Sequence, residues 1–239
     1  MKRRVGVVMC LIIGIAIAIA AGTFLFILNK GKEEKKSMFS KEIAPYTKRQ
    51  EEQFTFEASG ELNMKVIGSN VTIKQGDCKE ISIQLTKEVG DKKEELLSEE
   101  LVKITCRMDH ETLEIGFLDG QKKVNSTYIE AKITVPETVK VIQCNCQTGD
   151  FKLKGSYEEI KVDSRVGNVD LDLDKLDSSN HIAIQGKIGD VKIKLPRKSK
   201  VWLRGTEKDG VKLGDGIILD ESGAEIEIHK ETSRISIAS

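Results

Sequence analysis

Apolar and polar residues alternate with a period of two along most of the chain after residue 53. The alternation is regular in segments 62–66, 81–85 and 129–135, where every second residue is Leu, Met, Val, Ile or Ala. Successive side chains of a strand point to opposite faces of a sheet, so this pattern predicts half-buried β-strands. The helix-like interval is 92–101, where we expect at most one short helix or a charged hairpin excursion.

A repeated unit underlies the alternation in the C-terminal half. Segments 142–154, 160–172 and 182–194 align without gaps, a looser copy follows at 201–213, and 68–73 is a faint echo. Each unit reads as two short strands separated by a corner. At the corner, glycine supplies a positive φ without steric cost, and the next Asp or Asn bonds backbone amides. The predicted corner residues are Gly149, Asp150, Gly167, Asn168, Gly189, Asp190 and Gly210.

The spacing of these corners favours stacked coils over hairpins. The first three corner glycines lie 18 and 22 residues apart, which suits one circuit of a coil. One unit cannot bury its apolar face alone, so units should stack. We therefore predict an all-β fold of the β-solenoid or β-helix-like kind, with a twisted β-sandwich as the alternative. The residues expected to face the core are Val162, Val169, Leu171, Ile184, Val191 and Ile193, and those expected to face water are Lys161, Asp170, Lys192 and Lys194.

The N-terminal segment has a different composition. Residues 5–28 contain no charged residue, and at about 1.5 Å per residue this run exceeds the roughly 30 Å hydrocarbon core of a bilayer. The basic residues before it give the layout of an uncleaved signal-anchor, although Ala18 and Ala20 form a small-x-small site that keeps a cleaved signal peptide open. The expected organisation is a cytoplasmic n-region at 1–4, a single-pass membrane anchor at 5–28, a polar tether at 29–53 and an extracytoplasmic β-strand-repeat domain at 54–239.

Composition narrows the possible functions. Lys+Arg and Asp+Glu both total 38, so the formal net charge is zero and no global field recruits nucleic acid. The sequence contains no Gly-x-Ser-x-Gly elbow, phosphate loop or dinucleotide fingerprint. We therefore expect no nucleic-acid partner, no cofactor and no enzymatic activity.

Two cysteines, Cys144 and Cys146, suggest half of a metal or redox site. Zinc needs a second ligand pair at short spacing, disulfide catalysis needs Cys-x-x-Cys, and the sequence has neither. In the repeat alignment Cys144 takes an inward position and Cys146 the small-residue position, so we interpret both as core residues. A disulfide that involves Cys78 or Cys106 stays open, because sequence does not fix a pairing.

Three aspartates, Asp170, Asp172 and Asp174, alternate with apolar residues and so share one outward face. Calcium uses such carboxylates. Lysines hold the equivalent positions in the neighbouring units, however, and opposite charges on adjacent coils pair modestly. We therefore interpret this face as solvated, and we expect no metal site there or among the three widely separated histidines.

The corner units and the closing segment 225–237 resemble the β-strand-repeat domain of bacterial envelope proteins named "putative adhesins". The similarity covers 54–239 and is clearest from Ile142 onward. It implies a β-solenoid-like exterior domain, often on a single N-terminal anchor, whose genes can accompany envelope-stress signalling systems. It brings no catalytic residues. Arg234 departs from the pattern, since the family often has glycine before the last strand.

These observations favour a non-enzymatic module that binds or senses material at the cell envelope. The expected partners are the membrane, through the anchor, and either cell-wall material or another envelope protein. A structural spacer and a cell-wall glycan hydrolase are the alternatives. An exposed apolar or single-sign patch would indicate binding, mixed charge would indicate a spacer, and a cleft with converging carboxylates would indicate a hydrolase.

Overall fold

The computed structural model describes residues 37–117, 122–205 and 210–239, and nearly all of this chain is β-structure. A 3₁₀ turn at Glu94–Leu96 leads into a short α-helix, Leu97–Val102, which overlaps the interval 92–101 where at most one short helix was expected. In chain order the described strands are β1 (Tyr46–Glu57), β2 (Glu61–Ile67), β3 (Asn70–Gly76), β4 (Glu80–Asp91), β5 (Ile104–Asp109), β6 (Thr112–Phe117), β7 (Ser126–Pro136), β8 (Val141–Thr148), β9 (Phe151–Gly155), β10 (Glu159–Val166), β11 (Val169–Leu173), β12 (His181–Ile188), β13 (Val191–Lys194), β14 (Lys200–Arg204), β15 (Val211–Leu213), β16 (Ile218–Leu219), β17 (Ala224–Thr232) and β18 (Ile235–Ala238).

The strands form two mixed sheets. Sheet 1 has the order β1-β4-β7-β3-β9-β11-β13-β18-β15, and sheet 2 has the order β16-β14-β17-β12-β10-β8-β2-β6-β5. Inward side chains from both sheets join one hydrophobic core. The all-β prediction is confirmed, and the described chain has the sandwich-like form that was the alternative to a solenoid.

Each repeat unit divides its two strands between the two sheets. The first strands β8, β10 and β12 pair in parallel in sheet 2, and the second strands β9, β11 and β13 pair in parallel in sheet 1. Val162 lies opposite both Cys144 and Ile184, as the gapless alignment predicts. A slip of one residue would turn every apolar side chain outward, so burial fixes this register.

The predicted division between core and surface is confirmed. All six residues expected in the core are at most 2% exposed. Lys161, Lys192 and Lys194 are exposed, and Asp170 is half-buried. The alternation of apolar and polar residues therefore identifies which side of each repeat strand meets the core.

The N-terminal boundary of the β-structure differs from the expected one. β1 begins at Tyr46, ahead of residue 54, and pairs antiparallel with β4 along its whole length. Within this pair the buried Lys87 Nζ lies 2.9 Å from Glu52 Oε1 and donates to the Ile104 carbonyl oxygen at 3.1 Å. Backbone pairing and ion pairs hold this polar segment in place. Because it lacks apolar alternation, the sequence pattern did not predict it as a strand.

The predicted membrane anchor at 5–28 lies outside the described residues, as do the n-region and the first part of the tether. Among the residues that are described, no helix has the length and apolarity needed to cross a bilayer. The anchor therefore stays a prediction from sequence.

Candidate binding groove on sheet 2

The corner glycines lie where successive units meet most closely. Gly149, Gly167 and Gly189 have φ values of +129°, +146° and +128°. A Cβ atom on Gly167 would lie 2.0 Å from the carbonyl oxygen of Gly149, and one on Gly189 would lie 2.1 Å from that of Gly167. Both the backbone angle and the contact with the preceding corner require glycine at these positions.

The polar corner residues form a ladder of hydrogen bonds from unit to unit. Asn70 Oδ1 accepts from the Asp150 amide at 3.0 Å, and Asp150 Oδ1 accepts from the Asn168 amide at 2.9 Å. Asn168 Oδ1 in turn accepts from the Asp190 amide at 2.9 Å. Asx side chains bind their own loops in most turns, whereas here each binds the neighbouring unit. The corner residues therefore join the repeats together.

The last corner is completed by Arg234. Its amide donates to Asp190 Oδ1 at 3.2 Å, and its guanidinium Nη2 donates to Asp190 Oδ2 at 2.7 Å. The guanidinium hydrogen bond holds the pKa of Asp190 below its ordinary value. The pairing of Val191 with Ile235 places Arg234 at the Asp/Asn position of the unit and Ser233 at the glycine position.

Gly210 does not occupy the corner position expected for it. Val211 pairs with Ile235, so the residue before Val211 matches Arg234 and takes the Asp/Asn position. A Cβ atom on Gly210 would meet nothing within 4 Å in the described chain. The looser copy of the repeat therefore keeps its strand without the tight contact of the other corners.

The cysteines lie where the alignment put them. Cys144 and Cys146 are buried, and all four described cysteines are free thiols. Burial raises the pKa of Cys146 to about 11 and that of Cys106 to about 12. Thiols with such pKa values are weak nucleophiles at neutral pH, which agrees with a packing role.

The aspartate-bearing strand pairs its charges with the neighbouring units. Asp172 lies 3.4 Å from Lys154 Nζ and 3.5 Å from Lys194 Nζ. This arrangement is the ion pairing between adjacent units that the alignment predicts. Within the described ranges, no group of three or more His, Cys, Asp or Glu side chains is placed to hold a metal ion.

The outer face of sheet 2 carries a groove. Two adjoining depressions, of about 1120 and 660 Å³, share Asn145, Asp163, Gln185 and His229 as lining residues. These four side chains form one row, because Asp163 pairs in register with Asn145 and Gln185, and Gln185 pairs with His229. The groove therefore runs across the strands, perpendicular to their axes.

A second row of side chains runs parallel to the first. Gln143 lies opposite Asn63 and Lys161, and Ala183 lies between Lys161 and Glu227. The methyl side chain of Ala183 leaves the floor of the groove low at its centre. Its neighbours along β12, Ile182 and Ile184, point into the core. Strand alternation thus gives the protein its core and its groove from the same strands.

The centre of the groove carries two amides, Asn145 and Gln185, with the Asp163 carboxylate between them. Asn145 and Gln185 are exposed, and their side chains form no hydrogen bond within the part of the chain that the structure describes. An Asn or Gln amide both donates and accepts hydrogen bonds. These two side chains are therefore available to a polar ligand.

Two pairs of interacting polar side chains lie beside the groove. Arg204 Nη1 lies 2.7 Å from Glu225 Oε1, and its guanidinium carbon lies 5.0 Å from the centre of the Trp202 ring. His229 Nε2 and Glu227 Oε1 lie 2.9 Å apart, and this hydrogen bond lowers the pKa of Glu227. A lowered pKa makes Glu227 a poorer general acid, which argues against a hydrolase built on this carboxyl group.

Lys230 lines the larger depression of the groove, and sequence reasoning missed it. It occupies the register position of Gly186, and its Nζ donates to the Gly167 carbonyl oxygen at 2.8 Å. Burial lowers the pKa of the amine. The signal that could have found it is a lysine at the small-residue position of the last unit.

The groove residues also had a signal in the sequence. The outward positions of the first strands include the amides Gln143, Asn145 and Gln185, whereas those of the second strands β9, β11 and β13 are all lysine or aspartate. This difference is visible in the repeat alignment, but the alignment does not show that the outer face of sheet 2 carries a groove.

Comparisons with known proteins give distant structural likenesses. No family model matches the chain, and no curated protein matches it. The chain is similar to a "putative cell adhesion protein" of Clostridium sporogenes (18% identity, TM-score 0.46, 80% of this chain and 98% of that one). It is also similar to "putative adhesins" of Bacteroides fragilis (12% identity, TM-score 0.36, 82% and 99%) and Parabacteroides merdae (13% identity, TM-score 0.32, 80% and 80%). At these identities and TM-scores, none of the three assigns a function to this chain.

Proposed function

We propose that this protein is a non-enzymatic binding domain of the bacterial cell envelope, anchored in the membrane by residues 5–28 and displayed outside the cytoplasm. In this proposal the repeats form a short β-solenoid-like stack that presents the groove of sheet 2 to an extended ligand. The polar groove with two unpartnered amides at its centre is the observation that carries the proposal.

The dimensions of the groove favour an extended ligand. It crosses β2, β8, β10, β12 and β17, which are consecutive in sheet 2. At about 4.8 Å between neighbouring strands, these five strands span roughly 19 Å. A ligand that fills this length contacts several repeat units at once, so a polymer suits it better than a single small molecule.

The chemistry of the groove favours a glycan over a protein surface. Trp202 at its edge is partly covered by Arg204, and the centre presents amides instead of the apolar anchors that dominate protein interfaces. An Asn or Gln amide can both donate to and accept from an acetamido group or a hydroxyl. We therefore propose wall glycan with N-acetylated sugars as the ligand class.

Calorimetric titration of the chain with N-acetylhexosamine oligosaccharides of increasing length tests this proposal. Affinity should rise with length until the groove is filled, and the double variant Asn145→Ala/Gln185→Ala should weaken binding by about tenfold or more, because each lost hydrogen bond contributes about 1 kcal/mol. Gln84→Ala, at an exposed amide on sheet 1, is the matched control. Equal affinity of both variants for the longest oligosaccharide would refute the groove as the binding site.

A further inference from the structure

The outer face of sheet 1 carries a straight track of lysines. The lysines lie on alternate strands, and each strand between two of them carries a hydroxyl or a carboxylate at the same level. The in-register order across the sheet is Lys132, Thr72, Lys152, Asp170, Lys192, Ser236 and Lys212. We call this row the lysine track.

The track has a local excess of positive charge in a chain whose formal net charge is zero. Lys152 and Lys192 are exposed and form no ion pair with any residue that the structure describes. A second row with Lys74, Lys154 and Lys194 runs beside the track. The nearby carboxylates are those of Glu130, which lies 3.4 Å from Lys132, of Asp170 and Asp172, and of the corner residues Asp150 and Asp190 beside Lys152 and Lys192. They remain fewer than the lysines of the two rows.

The spacing of the track selects the shape of its ligand. Alternate strands lie about 10 Å apart, and the track extends over roughly 29 Å from β7 to β15. A single phosphate would contact one lysine, whereas a linear polyanion can contact all four. Charge complementarity and the straight row both indicate a polymer.

The residues between the lysines select the chemistry of that polymer. Thr72, Asp170 and Ser236 offer hydrogen-bond partners for hydroxyl groups, and Asp170 repels a phosphate placed beside it. A polymer in which phosphates alternate with hydroxylated linkers matches this order of side chains. A continuous run of phosphates does not.

We propose that the lysine track binds a linear polyol phosphate polymer, at a surface separate from the glycan groove on the opposite sheet. Phosphates contact Lys132, Lys152, Lys192 and Lys212, and the hydroxyls of the linkers contact the residues between them. The track presents no aromatic side chain on which a nucleobase could stack. We therefore do not propose nucleic acid as the ligand, and the experiment includes an oligonucleotide to exclude it.

Binding of synthetic poly(glycerol phosphate) to the full chain in detergent, measured over a series of salt concentrations, tests this proposal. The double variant Lys152→Ala/Lys192→Ala should bind about thirtyfold more weakly. Its slope of log affinity against log salt should fall by about 1.4, since each lost phosphate contact contributes about 0.7. Lys161→Ala, at an exposed lysine on sheet 2, is the matched control and should leave both values unchanged.

The hydroxyl-binding positions are tested separately. Thr72→Val/Ser236→Ala should weaken binding of poly(glycerol phosphate) and leave binding of inorganic polyphosphate unchanged. Polyphosphate or a single-stranded oligonucleotide that binds as tightly as poly(glycerol phosphate), at equal phosphate concentration, would overturn the proposal, as would an equal loss in Lys161→Ala. Asn145→Ala/Gln185→Ala should bind poly(glycerol phosphate) normally, so failure of the groove proposal and failure of this one are distinguishable.

Discussion

Replacing Gly167 with alanine places a methyl group against the neighbouring corner. The new Cβ would lie 2.0 Å from the Gly149 carbonyl oxygen and 2.6 Å from its carbon, so the two corners must move apart by about 1 Å. That movement is opposed by the hydrogen bond from the Gly149 amide to the Val166 carbonyl at 3.0 Å and by the one from the Phe151 amide to Asn168 at 2.9 Å.

The expected loss of stability combines two effects. An L-residue at the φ of +146° found at Gly167 carries strain of about 1–3 kcal/mol. Separation of the corners weakens at least one backbone hydrogen bond, which contributes about 1 kcal/mol. We therefore expect Gly167→Ala to lower the free energy of unfolding by about 2–4 kcal/mol.

Urea unfolding of residues 37–239, followed by circular dichroism, measures this loss. The fragment contains every described strand, whereas one starting at residue 54 would delete most of β1. Gly68→Ala is the control for φ alone, because Gly68 has φ +68° and a Cβ there meets nothing within 4 Å in the described chain. It should cost about 1 kcal/mol. If Gly167→Ala costs no more than Gly68→Ala, close contact between corners does not contribute to stability.

Three further predictions follow from the core, the last corner and the N-terminal segment. Ile184→Ala should destabilise the domain by about 2–5 kcal/mol and Lys161→Ala by no more than about 0.5 kcal/mol, and equal losses in urea unfolding would contradict the shared core. The pKa of Asp190 is held below its ordinary 3.8 by Arg234, so the stability that this pair provides is present above about pH 4 and is lost as pH falls through the lower folded-state pKa. Unfolding midpoints of the wild type and Arg234→Ala should therefore differ at neutral pH and converge in acid, and a constant difference would contradict this assignment. Protease added to intact, wall-stripped cells should digest the β-domain while the mature protein keeps residues 5–28, and protection from the protease or loss of that segment would contradict the corresponding part of the topology.

The repeat half of the fold was predictable because one physical rule governs it. Alternation set the inward residues, and the gapless alignment set the register, so the positions of Cys144 and Ile184 opposite Val162 could be read from sequence. Gly149, Gly167 and Gly189 were predictable from turn chemistry, because a positive φ favours glycine, whereas the prediction for Gly210 was wrong. The hydrogen-bond ladder of the polar corner residues was only partly predictable. Turn chemistry predicts hydrogen bonds within a loop, whereas these hydrogen bonds run between units.

The N-terminal half was harder to predict. Residues 46–53 form a strand through pairing with β4 and through the buried pair of Lys87 and Glu52, and neither leaves a period in the sequence. The groove was not predictable because its lining side chains come from several strands that meet only in the assembled sheet. Arg234 was recognised as a departure from the family pattern, but its bond to Asp190 appears only when the two units are adjacent.

The ladder of corner residues restricts how the length of this protein can change. Each Asx side chain accepts a hydrogen bond from the next unit, and each corner carbonyl accepts one from the preceding unit. A deletion within a unit therefore breaks contacts on both sides, whereas insertion of a whole unit of about the existing 18 to 22 residues leaves every other contact intact. A whole unit adds one strand to each sheet. The groove of sheet 2 and the lysine track would then lengthen together by about 4.8 Å, so a change in the number of repeats would alter the length of both faces by the same amount.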